Sequence, residues 1–293
     1  MSSGERPGER ARREPTPLWG MTWEEWKAVA RAVYSRFSEV QITDRAATLA
    51  YYGFLSLFPA LIVAVALLAL FGSYPETYNS IIDTLRETAP GPAVDTIDSA
   101  LRNVLQNSGS AGQLLGIGLI VALVSASGAT GAAIRSLQVI NEQEGRGIVG
   151  SRVAQLLLTL ALMALLLLAF TALLVAGPLF SSIADAAGLE ASSRSLVSAL
   201  RYPVGLAALL AALLLLYWRG PAGPKRGPLE YLPGALLAAV LWVLASIGFS
   251  VYVSHFSSYD ATYGALGAII VLLIWLYVGN IALLIGALVN REL

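Results

Sequence analysis

The chain has 293 residues, 56% of them hydrophobic and 13% charged, with a mean hydropathy of +0.68. Soluble domains carry about 25% charged residues, so this composition belongs to a bilayer. Formal net charge is zero, cysteine is absent and histidine occurs once, at His255, which excludes bulk attraction to nucleic acid, disulfides, thiolate nucleophiles and clustered Cys or His metal sites; no cofactor is expected.

Residues 1–20, rich in Arg, Glu, Pro and Gly, predict a disordered tail, and the first 45 residues lack the apolar core of a cleaved signal peptide. Within 21–44, Thr22-Trp-Glu-Glu25 spells a capping box that opens an amphipathic helix. Trp26, Ala30, Val33 and Phe37 share one face of it, while Lys27, Arg31 and Arg36 suit an anionic inner leaflet. The alternative is a helix packed beneath a bundle.

From residue 45 to 293 the expectation is an all-α polytopic membrane domain. A helix needs about 20 apolar residues to cross the hydrocarbon, and spans are predicted at about 49–71, 112–134, 153–180, 196–218, 231–253 and 262–289. Two amphipathic helices within about 76–106, broken at Pro90-Gly-Pro92, are too short to span and are placed at the outer surface. Placing the N-terminus inside puts fifteen of the nineteen Lys and Arg on cytoplasmic segments, so both termini are expected in the cytoplasm of a bacterial inner-membrane protein.

The first span is polar in its first half. Tyr52, Ser56 and Pro59 lie at i, i+4 and i+7 beside Tyr51, and Pro59 cannot donate to the carbonyl of Leu55. Two readings stand: a polar cavity wall, or an interfacial tyrosine belt with a packing kink. Gly112-Gln-Leu-Leu-Gly116, Ser127-Gly-Ala-Thr-Gly131, and Gly279 with Gly286 are read as helix-packing devices. Asn280, beside Tyr277, is expected to hydrogen-bond a neighbouring helix. Arg45, Arg135, Arg146, Arg152, Arg219, Lys225 and Arg226 would ring the inner mouth. They are either topogenic charges or a collecting site for phosphate head groups. No Asp, Glu, Lys or Arg falls at mid-depth in the five long spans, which argues against ion-coupled transport.

Three stretches, Ala47-TLAYYGFLSLFPAL, Tyr231-LPGALLAAVLW and Tyr263-GALGAIIVLLIWLYVGNIALLIGALVN, resemble the YihY/BrkB family of bacterial inner-membrane proteins. The resemblance implies six spans, cytoplasmic termini and no settled activity. A ribonuclease BN label circulates for the family, one branch is associated with serum resistance, and some relatives are linked to envelope lipid export. The family pattern falls on Ala50, Tyr51, Ser56, Leu57, Pro59, Gly234, Ala235, Trp242, Tyr263, Gly264, Trp275, Gly286, Ala287 and Asn290. Two positions depart from it: Ser136-Leu-Gln138 lacks the usual Asn, and Leu288 stands where the closing motif carries an acid.

The candidate substrate path is therefore Tyr51, Tyr52, Ser56, Pro59, Trp242, Trp275, Tyr277 and Asn280. No catalytic, metal or cofactor residue is assigned, because Asp44, Glu142, Glu144 and Glu230 lack metal-ligand spacing. The leading expectation is movement of a lipid or other amphiphile, with membrane lipids as partners. A scaffold that forms a homo-oligomer or binds an envelope protein comes second, and a small-solute channel third. An enzyme and a nucleic-acid partner are not expected.

Overall fold

The computed structural model describes residues 22–71, 108–143, 148–174, 191–221, 227–254 and 265–293. Seven α-helices occupy them: α1 (Trp23–Glu39), α2 (Ile42–Phe71), α3 (Ser108–Ile140), α4 (Ile148–Leu174), α5 (Ala191–Arg219), α6 (Leu232–Ser254) and α7 (Ala265–Glu292), with a 3-10 turn at Pro228–Tyr231. There is no strand among the described residues. The tail 1–20, the segments at 76–106, Arg146, Lys225, Arg226, His255 and the side chain of Pro59 lie outside them.

Each apolar run becomes a helix for one reason: a backbone away from water must satisfy its N–H and C=O groups within the segment. Stretches in α3, α4, α6 and α7, at 118–140, 152–169, 228–252 and 269–292, are long and apolar enough to cross a membrane. Only 17–33% of each is buried within the protein, which leaves apolar side chains of each helix exposed, as lipid-facing helices require. α5 adds a shorter apolar stretch, Pro203–Arg219, and continues upstream through Pro203 to Ala191.

The capping box at Thr22 forms as expected. Glu25 N–H donates to Thr22 Oγ1 at 3.4 Å and Thr22 N–H donates to Glu25 Oε2 at 2.7 Å. α1 then packs on α7 through Val33 and Phe37, leaving Trp23 and Tyr34 exposed. Consecutive helices from α2 to α7 touch in turn, and α7 closes the ring against α2. The α2–α3, α4–α5 and α6–α7 joints are extensive, while α3–α4 and α5–α6 are slighter.

Burial is uneven along the bundle. The core gathers Ile42, Ala46 and Leu49 of α2, Leu137 and Ile140 of α3, Leu216 and Tyr217 of α5, Ala235 and Ala238 of α6, and Leu284 and Leu288 of α7. These are the helix ends nearest α1, so this terminal face is the closed end. Towards the opposite face, no described side chain at 240–252 of α6 or 269–281 of α7 is buried.

Candidate functional site

Closure at the terminal face begins with two glycines. A Cβ built on Gly234 of α6 would overlap the carbonyl oxygen of Gly286 of α7, and one on Gly286 would overlap that of Gly234. The backbones therefore cross in direct contact, which only residues without side chains allow. Asn290, one turn beyond Gly286, accepts the Gly234 N–H on Oδ1 at 2.8 Å. This satisfies one of the first donors of α6, a helix whose second residue, Pro233, has none to give.

Tyr217 fills the gap from the α5 side. Its ring is buried, its hydroxyl donates to the Leu283 carbonyl at 2.6 Å, and a Cβ on Gly286 would come within 2.8 Å of that hydroxyl. Beside it lies a cavity of ≈ 10 Å³ lined by Leu137, Asn141, Tyr217, Tyr231, Ala287 and Asn290. That is about the least space that admits one water.

Above this seal sits a cluster of two cations and two anions. Arg36 of α1 bonds Glu142 at 2.7 Å and Glu292 at 3.2 Å; Arg291 bonds Glu142 at 2.9 Å and lies 3.8 Å from Glu292. Arg291 also donates to the Ile140 carbonyl at the end of α3. The cluster thus ties the last turns of α1, α3 and α7 together. Glu142 adopts a left-handed φ of 49°. Glu142 N–H donates to the Val139 carbonyl and Gln143 N–H to that of Gln138, a Schellman turn whose usual residue is glycine. Here a glutamate takes that conformation and aims its carboxylate at both arginines. Their hydrogen bonds and charges, Arg36 first, hold the Glu142 carboxyl below its ordinary range, and Glu142 in turn raises the Arg36 guanidinium.

At the slighter α3–α4 joint, Gln155 of α4 donates through Nε2 to the Ser127 carbonyl at 2.5 Å and to Ser127 Oγ at 3.0 Å. Gly131 provides the room, since a Cβ there would stand 2.7 Å from that nitrogen.

The expected path residues fall into separate groups. Tyr51 and Tyr52 meet edge to face at 5.5 Å, with Tyr51 exposed and Tyr52 set over Gly128 of α3. Ser56 donates back to the Gly53 carbonyl at 2.7 Å, so it does not serve the carbonyl of Leu55. Trp242 and Trp275 pair at 5.7 Å across α6 and α7, Trp275 Nε1 donates to Ser246 Oγ at 3.2 Å, and Trp242 rests on Gly279. Tyr277 packs against the core. Asn280 donates to the Leu276 carbonyl of its own helix at 2.8 Å; the expectation of an interhelical partner is corrected, because the turn below offers an acceptor within reach.

The basic residues expected at the mouth also diverge. Arg45 turns back to donate to the Val40 carbonyl at 2.7 Å, closing the α1–α2 corner. Arg219 stacks on Trp218 at 3.9 Å, and Arg135 and Arg152 are exposed. Of the small-residue motifs, Ser127 to Gly131 and Gly279 to Gly286 work as packing devices, whereas a Cβ at Gly116 would meet nothing within 4 Å. Sequence reasoning missed the cluster of Arg36, Glu142, Arg291 and Glu292 and the role of Tyr217. The available signals were the glutamate just past the end of α3 and a tyrosine ending an apolar run.

Among the described residues, no three His, Cys, Asp or Glu side chains gather as metal ligands would. Residues 33–293 match the family described as "Virulence factor BrkB". The ribonuclease-like protein YfkH of Bacillus subtilis is 32% identical over 265 residues, covering 90% of this chain and 94% of that protein. A UPF0761 membrane protein of Alkalilimnicola ehrlichii is 30% identical over 259 residues, and the match covers 87% of this chain but 56% of that longer one. A UPF0761 membrane protein of Pseudoalteromonas atlantica is 28% identical over 249 residues, covering 84% and 79% respectively. No solved structure matches the chain. With the family match running from α1 to the last residue, across a bundle of apolar helices, the chain is an integral membrane protein and belongs to the BrkB family.

Proposed function

We propose that this protein crosses the bacterial inner membrane six times, with both termini cytoplasmic, and moves a lipid or other amphiphile between leaflets without an ion-coupling carboxylate or any enzymatic step. The observation that carries the reading is the asymmetry of burial. The terminal face is sealed by Gly234, Gly286, Tyr217 and the charged cluster, while 240–252 of α6 and 269–281 of α7 bury no described side chain. A helix hairpin packed along its length would bury one stripe throughout. Here the α6–α7 hairpin keeps contact through Trp242, Trp275 and Ser246 but buries no described side chain towards the far side, so the hairpin is closed at one end and less buried at the other.

Along the less buried half the polar groups are neutral: Ser246 and the indole N–H of Trp275, with Asn280 one turn further along. Such a lining would let a head group pass at modest cost beside acyl chains that stay in the bilayer. Tyr51, Tyr52, Ser56 and Pro59 are proposed to flank the same route from α2. Arg45, Arg135, Arg146, Arg152, Arg219, Lys225 and Arg226 are proposed as the basic mouth.

Purified protein in vesicles carrying a fluorescent lipid in both leaflets tests this by dithionite bleaching. Protein-dependent bleaching beyond the outer-leaflet half is expected. Bleaching that stops at one half, at every protein density, would remove the proposal. One observation favours the second reading, a scaffold without transport: a Cβ at Gly116 or Gly248 would meet nothing within 4 Å, leaving small-residue surfaces that suit another helix. A stable complex in mild detergent together with no lipid flux would select it.

A further inference from the structure

We infer that α1 is an anionic-lipid-binding element, lying in the head-group layer with one flank on the bundle and the other on the membrane surface. Val33 and Phe37 pack against the core, and Arg36 is engaged by Glu142 and Glu292, so the inner side of α1 is committed to protein. A quarter-turn or so around the helix, Trp23, Lys27, Arg31 and Tyr34 form a separate stripe, spaced by four, four and three residues. Trp23 is 72% exposed and Tyr34 85% exposed, leaving two aromatic rings in water. Arg31 is exposed, and Lys27 lies 5.4 Å over the Trp23 ring while touching Glu24 at 3.0 Å.

Charge selects the occupant. The basic pair sits between the aromatic rings with Glu24 paired to Lys27 beside it, whereas Glu39 lies on the flank turned away from the core-packed side, so the stripe keeps one net positive charge. Aromatic rings with lysine and arginine between them suit the interface of an anionic bilayer, the rings at the glycerol level and the cations at phosphate. Connectivity sets the depth. α1 passes into α2 through only Val40 and Gln41, and its last turn is ion-paired to Glu292, two residues beyond the end of the charge-free run of α7 at Asn290. The residues between Ile42 and the start of the apolar run at Leu49 rise on the order of 10 Å at 1.5 Å each, enough to reach the outer edge of a head-group layer about 5–8 Å deep.

This inference rests on the membrane placement of the helices and not on lipid flux, so a negative bleaching assay leaves it standing. The absence of cysteine allows single nitroxide labels. Tyr34→Cys and, on the opposite flank, Ala28→Cys would be labelled in the full chain in nanodiscs of phosphatidylcholine alone or with phosphatidylglycerol. Collision rates with oxygen and with a water-soluble nickel chelate are the readout. Position 34 is expected to favour oxygen in the anionic discs, and position 28 to favour nickel. Reversing the charges at Lys27→Glu and Arg31→Glu should move position 34 towards nickel, while Lys27→Arg should not. Equal nickel access at position 34 in both lipids would overturn the inference. So would spin–spin broadening at position 34, which would place a second copy against the stripe, or protection by a co-purifying protein in place of lipid.

Discussion

Gly234 and Gly286 occupy each other's side-chain space: each carbonyl oxygen stands where the other residue's Cβ would be built. Because the obstacle is backbone, neither side can yield by a rotamer change. Gly286→Ala and Gly234→Ala are each expected to destabilise the protein by about 1–3 kcal/mol, the range for inserting a methyl into a packed contact. Gly248→Ala, where nothing lies within 4 Å, should be neutral or gain about 0.5 kcal/mol from the lower entropy of alanine. Thermal unfolding in one detergent, followed by intrinsic fluorescence, separates the two classes.

Tyr217 bridges α5 to α7 with one hydroxyl. Tyr217→Phe keeps the buried ring and removes the 2.6 Å bond to Leu283. The carbonyl retains its helical environment, so the expected cost is about 1 kcal/mol. Tyr217→Ala also empties a buried volume and should cost about 3 kcal/mol or more. A cost for Tyr217→Phe equal to that of Tyr217→Ala would mean that the hydroxyl, not the ring, holds the seal.

Protonation should loosen the cluster at the terminal face. Arg36 and Arg291 hold Glu142 below its ordinary value of 4.5. A carboxyl lowered by folding adds stability above its unfolded pKa and loses it as pH falls through the folded one. The contribution is therefore complete at neutral pH and fades below about pH 4.5. Glu142→Gln should lower the melting temperature at pH 7, and the difference from the parent should shrink on acidification below that point. Glu142→Gly removes the same charge but relieves the left-handed backbone, so it should be less damaging than Glu142→Gln.

Gln155 and Gly131 should behave as a coupled pair. Gln155→Ala removes both bonds to Ser127 and is expected to cost about 0.5–1.5 kcal/mol. Gly131→Ala crowds the same amide, whose nitrogen would stand 2.7 Å from the new Cβ. In the Gln155→Ala background that crowding disappears, so the double variant should be more stable than the two single costs added together. A double-variant thermal series checks it.

The helices were legible because length and polarity decide them locally. A run such as Gly112 to Ile134 must be helical away from water whatever its neighbours, and α3 contains all of it. The capping box was equally readable, since Thr22 and Glu25 satisfy each other within one turn. Asn280 and Ser56 were legible as polar groups at depth but not as to partner, because a carbonyl in their own helix competes with every neighbouring helix.

The amino-acid order by itself thus determined that the apolar runs among the described residues are helical, that at least four of them are apolar enough for a bilayer, and that glycines such as Gly279 and Gly286 would face another helix. The tertiary structure alone decided which helix that would be, that Glu142 would reach Arg36 106 positions away, and that the bundle would close at the end bearing α1. The physical reason is range. Backbone hydrogen bonding and transfer from water act within a segment and leave a periodic trace. Pairing among glycines, arginines and carboxylates depends on how whole helices come together, and any of several charges could have met Arg36 until the ring of helices placed Glu142 there.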